Sequence, residues 1–178
     1  MLSGEEILNQ IEEGNIIIEP FNAKQVNPNS YNVTLGKELI IYMDPILDCK
    51  KENRFKTIQI PEEGYTLLPG NLYLASTNEY TETYNFIPQI SGRSSIGRVG
   101  LSVHISAGFG NNGYKGKWTL TMSCSVPVKV YPKMEIGQIY YFPIVGPKEE
   151  LYQGKYDKKD GIHTSKMFLD SEFKSENN

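Results

Sequence analysis

Arginine is scarce in this sequence: Arg54, Arg93 and Arg98 stand against fifteen lysines in 178 residues. Cysteine is scarcer, with Cys49 and Cys124 lying 75 residues apart and no Cys-x-x-Cys pair. That excludes a disulfide-dense secreted scaffold. The N-terminus opens on a polar, helix-like segment without the pattern of a signal peptide, so the expected setting is a reducing cytoplasm. No apolar run approaches the roughly 20 residues that cross a bilayer, and no membrane partner is expected. The 18 basic and 21 acidic residues give a net charge of -3 and include no basic block, which excludes a duplex nucleic-acid surface.

What is present reads as one β-rich domain with a charged tail. Ser3-Gly4-Glu5-Glu6 is a capping-box pattern followed by Ile7, Leu8 and Ile11 at helical spacing, and Gly14 is a stop, so one short N-terminal helix is predicted. Short apolar or alternating runs then recur at 30–36, 39–42, 57–60, 64–68, 72–75, 101–105, 118–125, 128–130 and 139–142, punctuated by Pro and Gly. No stretch between them holds a crossover helix. This spacing predicts a mainly β sandwich or jelly-roll barrel. The β domain is assigned to residues 1–147 and the tail to 148–178, where Lys, Glu and Asp dominate and Tyr152 and Tyr156 are interleaved. Two readings of the tail stay open: a solvated, partly disordered segment, or a lid that folds over a charged ligand.

Two of the three arginines fall within Ser91–Leu101, which reads Ser-Gly-Arg-Ser-Ser-Ile-Gly-Arg-Val-Gly-Leu. A guanidinium is a rigid fork matched to phosphate oxygens, which gives a lysine-biased chain a reason to place arginine here. Ser94 and Ser95 add hydroxyls, and Gly92, Gly97 and Gly100 permit close backbone approach. The segment therefore reads either as a phosphate site or as a polar loop whose arginines pair with nearby carboxylates.

Six ordered segments resemble the dCTP deaminase branch of the trimeric dUTPase superfamily: 17–21, Val26 to Gly36, Gly92 to Leu101, His104 to Gly108 with Gly113 to Leu120, Pro132 to Gln138, and Lys155-Tyr156. The resemblance implies a distorted β-barrel or jelly roll of the dUTPase-like type with a short N-terminal helix and a charged C-terminal lid. It also implies a homotrimer with a small-molecule nucleotide between subunits and Mg²⁺ carried on its phosphates. By resemblance Arg93, Ser94, Ser95 and Arg98 hold phosphates, Tyr114 packs on the deoxyribose, and Ala107, Asn111 and Thr121 line the nucleotide site. Tyr152, Lys155 and Lys159 would be tail contacts, Lys159 standing where the family has glutamine.

The positions that carry the chemistry depart from the family. Deaminases have a glutamate where the strand Trp118-Thr119-Leu120 continues with Thr121. Members that also cleave dUTP have an aspartate where Ala107-Gly108-Phe109-Gly110 continues with Asn111, and Asn32 replaces a further aspartate. Neither Thr121 nor Asn111 accepts a proton near pH 7, and a general base contributes roughly 10²–10⁴ in rate. Zinc does not replace it, because His104 is followed by Ile105 and Ser106 rather than by x-Glu, and the cysteine pair is missing. His104, on an apolar run, reads as a structural histidine more readily than as a base. His163 is expected to be exposed, and Glu79 and Glu135 are expected to carry no chemistry. Two functions follow: a catalytically impaired binding protein, a pseudoenzyme that senses or sequesters nucleotide, or alternatively an active divergent dCTP deaminase, with or without dUTPase activity. A purely structural trimer is the weaker third.

Overall fold

The computed structural model describes residues 1–104, 107–147, 150–156 and 160–173. Helix α1 (Gly4–Glu12) starts where Ser3 Oγ accepts the backbone N–H of Glu6 at 3.1 Å, buries Ile7, and ends before Gly14 in the left-handed region at φ 76°. The strands are β1 (Ile16–Glu19), β2 (Val26–Asn27), β3 (Ser30–Tyr42), β4 (Phe55–Gln59), β5 (Tyr65–Leu67), β6 (Tyr73–Thr83), β7 (Phe86–Gly92), β8 (Leu101–Val103), β9 (Lys115–Cys124), β10 (Val128–Val130) and β11 (Glu135–Pro143), with a one-turn helix α2 (Ser94–Arg98) between β7 and β8. The main sheet runs β7-β11-β3-β6-β9-β8, with β1 on β6 and both β2 and β4 on β3. The chain beyond β8 returns to β7: Ile90 N–H donates to Gly108 O at 2.7 Å and Gly110 N–H to Pro88 O at 2.8 Å. The sheet is thereby almost closed into a barrel, as the turn spacing predicts, and β5 and β10 form a separate ribbon.

One expectation about strands is corrected, and one strand is added to those expected. The runs at 30–36 and 39–42 form one strand, β3, because its register shifts between Leu35 and Leu39 and lets the polar Lys37-Glu38 pass without ending the pairing. Strand β7 is not apparent in the sequence, since Pro88 argues against a sheet interior. Pro88 is tolerated because its carbonyl, and hence its missing N–H, faces the short 108–110 segment instead of the continuous β11 ladder. The core is filled by residues such as Tyr31, Leu35, Tyr73, Leu120, Met122 and Tyr141. Strand β9 buries Trp118, Leu120, Met122 and Cys124, while Thr119 and Thr121 stay half-buried on its other face.

Candidate functional site

The outward face of β9 forms one wall of a cavity of about 530 Å³. Thr119 and Thr121 line it beside Trp118, with His104, Ala107, Phe109, Gly110, Asn111 and Tyr114 from the segment before β9. Tyr42 at the end of β3, Leu47, Asp48, Cys49 and Asn53 from the β3–β4 loop, and Tyr152, Tyr156 and 163–165 from the tail complete it. Such a cavity, largely apolar with several aromatic rings and a few polar groups, suits a planar base and sugar.

The floor is rigid for identifiable reasons. Trp118 Nε1 donates to Thr81 Oγ1 and its backbone N–H to Thr77 Oγ1, each at 3.0 Å. Its ring packs, tilted by 37°, with its centroid 4.6 Å from that of Tyr114, whose hydroxyl donates to Lys117 O at 3.1 Å. Gly108 and Gly110 are required where they stand, because a Cβ at Gly108 would meet the Ile90 carbonyl and one at Gly110 the Trp118 ring. His104 adopts a left-handed φ of 53°, donates its backbone N–H to Thr121 O at 2.7 Å, and lies edge-on to Trp118.

His104 Nε2 is 2.6 Å from Ala107 O, a partner that only accepts, so this nitrogen carries the hydrogen. Burial holds the imidazole below its ordinary range, opposed by the backbone groups of Ala107 and Thr119. The folded state thus binds this proton less readily than the unfolded chain. Its contribution to stability is present above the unfolded value of about 6.5 and is lost as pH falls toward the lower folded value. Urea titrations between pH 7 and pH 5 should show stability falling with acidification, and His104→Gln should make that fall shallower. An unchanged slope would mean that His104 is not the responsible group.

The described part of the tail lies across this cavity. Tyr152 N–H donates to Asn112 O at 2.8 Å, His163 N–H to Thr119 Oγ1 at 3.0 Å and Ser165 N–H to the Tyr42 hydroxyl at 3.1 Å. Lys117 pairs with Asp160 at 3.2 Å. His163 is half-buried and lines the cavity, contrary to the exposure expected of a charged tail. Lys155 does not line it; it pairs with Asp170 at 2.5 Å, and that bond raises its pKa. Lys159 lies outside the described residues.

The arginine-bearing segment forms a separate group. Arg93, at the start of α2, pairs with Glu135 Oε2 at 2.7 Å. The same oxygen accepts from Asn32 Nδ2 at 3.0 Å, while Asn32 Oδ1 accepts from Asn27 Nδ2 at 2.8 Å. Glu135 therefore has work in the structure that its sequence context did not announce, and the amide at 32 is donated to it. An aspartate there would set a second carboxylate against Glu135. Ser94, Ser95 and Arg98 are exposed, and none of the four segment residues lines the cavity of the same chain. Arg54 is a latch, donating from its backbone N–H and its guanidinium to Asp44 at 2.7 and 2.8 Å and closing the β3–β4 loop.

Residues 1–144 match the family profile described as dCTP deaminase-like. The chain belongs to the dCTP deaminase-like family. A protein from Clostridium beijerinckii named dCTP deaminase, dUMP-forming, is 52% identical over 172 residues, which are 97% of this chain and 99% of that one. A protein of the same name from Hathewaya histolytica is 50% identical over the same shares of the two chains. The crystal structure of 2'-deoxycytidine 5'-triphosphate deaminase from Agrobacterium tumefaciens superposes with a TM-score of 0.63 at 18% identity, over 79% of this chain and 46% of that one. This likeness speaks to the fold.

In this dCTP deaminase-like chain the cavity gathers Ala107, Asn111, Tyr114, Thr121 and Tyr152 from the sequence reading, and leaves the arginine and serine residues apart. The β3–β4 loop and Tyr42 were missed. Asp44, Asp48 and Asn53 mark that stretch as a turn, but nothing in its local pattern says what it leans on. Asp48 is the one acidic side chain among the described cavity residues; its Oδ1 accepts Lys50 N–H at 2.9 Å and its Oδ2 lies 3.8 Å from Lys51.

Proposed function

We propose that this dCTP deaminase-like protein binds a deoxycytidine nucleotide and hydrolyses its 4-amino group, converting dCTP to dUTP. The observation that carries the reading is the relation of about half the residues, along nearly the whole chain, to proteins named dCTP deaminase, dUMP-forming. Their name extends the proposal to cleavage of the dUTP formed. The base and sugar would occupy the aromatic cavity over Trp118 and Tyr114, and the phosphates would be gripped by Arg93, Ser94, Ser95 and Arg98. Because those four residues do not line the cavity of their own chain, they would come from a neighbouring copy in a homotrimer. Among the described residues no three His, Cys, Asp or Glu are grouped to hold a metal. By the family resemblance an Mg²⁺ would be carried on the nucleotide's phosphate oxygens, where it would neutralise their charge.

A second reading, a nucleotide-binding protein with impaired turnover, is favoured by Asn111 and Thr121, which line the cavity as neutral groups where the family resemblance implies carboxylates. Incubation with dCTP and dUTP plus Mg²⁺, following uracil nucleotides and pyrophosphate, separates the two. Turnover at ordinary rates of about 1–10³ s⁻¹ supports the enzyme. A raised Tm with dCTP and no product supports the binder, and no rise with either nucleotide sinks both.

The phosphate grip has its own test. Arg93→Lys and Arg98→Lys should each weaken dCTP binding about tenfold, although charge is kept, because an ammonium cannot form a two-point contact. Calorimetry showing unchanged affinity would make both guanidiniums structural.

A further inference from the structure

We propose that Glu135 is a positioning residue for nucleotide binding: it holds the Arg93 guanidinium in the direction from which that group takes hold of a phosphate. The proposal rests on the phosphate grip assigned above to Arg93, Ser94, Ser95 and Arg98. Arg93 directly follows Gly92, the last residue of β7, which pairs with Gly137 of β11. The register of β11 on β3 shifts between Glu135 and Gly137, and such a bulge re-aims a side chain. Glu135 Oε2 lies 2.7 Å from Arg93 Nη1, which also donates to the Glu135 carbonyl at 3.5 Å. Both contacts are made by the one nitrogen. Among the described residues Nη2 and Nε meet no acceptor, so the other edge of the fork is left for a ligand.

The carboxylate is itself fixed from behind. Its Oε2 also accepts Asn32 Nδ2 at 3.0 Å, and Asn32 is 6% exposed on β3. Asn32 Oδ1 accepts Asn27 Nδ2 at 2.8 Å, and the Asn32 backbone carbonyl accepts the buried Gln25 Nε2 at 2.7 Å. A buried amide thus holds Glu135, and Glu135 holds the guanidinium. An aspartate at 32 would have no N–H to give, so the amide at 32 and the carboxylate at 135 work as a pair.

The ion pair does little for folding. Its side chains are 32% and 35% exposed, and pairs of that exposure add little to stability. What it fixes is the direction of a long side chain with several torsions, and a ligand that meets an ordered guanidinium does not have to order one. The Glu135 charge is offset by that of Arg93, while the exposed Ser94, Ser95 and Arg98 next to it remain to meet phosphate oxygens.

The test uses the full-length chain and dCTP with Mg²⁺, comparing wild type, Glu135→Ala, Glu135→Gln, Arg93→Ala and Arg93→Ala/Glu135→Ala by calorimetry. Glu135→Ala should weaken dCTP binding about two- to tenfold, the effect of having to order one long side chain on binding. Glu135→Gln keeps an oxygen for Asn32 and Arg93 and should fall between wild type and Glu135→Ala. In the Arg93→Ala background Glu135→Ala should change nothing, because its effect passes through that guanidinium. The free protein gives a second readout. With only three arginines in the chain, the Arg93 Nε–H can be followed by NMR relaxation, and Glu135→Ala should make it more mobile on the picosecond to nanosecond scale. A loss of affinity that persists in full when Arg93 is alanine, or an Arg93 signal as ordered in Glu135→Ala as in wild type, would overturn the positioning role. If Arg93→Ala binds dCTP more weakly while Glu135→Ala binds it as wild type does, the grip stands and the positioning role falls. If Arg93→Ala binds dCTP as tightly as wild type, the phosphate reading of Arg93 falls and this proposal with it.

Discussion

Thr121→Glu should raise the rate of dCTP deamination by about tenfold or more in the otherwise unaltered chain. The direction follows from where the side chain stands. Thr121 is half-buried on the cavity face of β9, not its core face, so a longer side chain enters a space of about 530 Å³ without disturbing Leu120 or Met122. A carboxylate on a paired strand is also held firmly, as a base that activates a positioned water has to be. Asn111→Asp combined with Thr121→Glu should further raise pyrophosphate release from dUTP, because the second carboxylate enters the same cavity. Steady-state assays on dCTP and dUTP check both. A Thr121→Glu protein that folds, binds dCTP and is no faster would show that a carboxylate at position 121 is not what limits the chain.

Glu79→Ala should cost about 3–5 kcal/mol of stability, the largest single effect expected away from the cavity. Glu79 is 1% exposed, yet it accepts from Thr34 N–H at 2.8 Å, Thr34 Oγ1–H at 2.7 Å and Gln25 Nε2–H at 3.3 Å. Removing the carboxylate strands three buried donors, each costing about 1–3 kcal/mol when unpaired. For a chain of this size that corresponds to a Tm lower by roughly 10 °C. Glu79→Gln keeps one acceptor oxygen and should lose about half as much. Urea unfolding at one fixed protein concentration measures both, and a loss below about 1 kcal/mol for Glu79→Ala would mean that water replaces the carboxylate.

How much was legible beforehand depends on the range of the cause. The Ser3 cap, the alternation of β9 and the turn punctuation are local, and each was readable as written. Strand β7 was not, because Pro88 breaks the local rule and only the short 108–110 partner excuses it. The arginine segment was open between phosphate grip and ion pair. The structure pairs Arg93 with Glu135 while keeping it at the surface beside exposed Ser94, Ser95 and Arg98, which leaves the free protein's guanidinium oriented by a carboxylate.

The sequence by itself determined a mainly β chain with one capped helix, an arginine-serine segment set just before a strand, and neutral residues at 111 and 121, because propensity, periodicity and residue identity are properties of short stretches. Only the tertiary structure decided that Thr121, His104, the β3–β4 loop and the tail share one cavity, that Glu135 faces Arg93, and that His163 is inside instead of in solvent. Those outcomes depend on contacts between residues 44, 42 and 123 positions apart, Thr119 with His163, Arg93 with Glu135, and Tyr42 with Ser165, and no local pattern encodes a meeting at that separation.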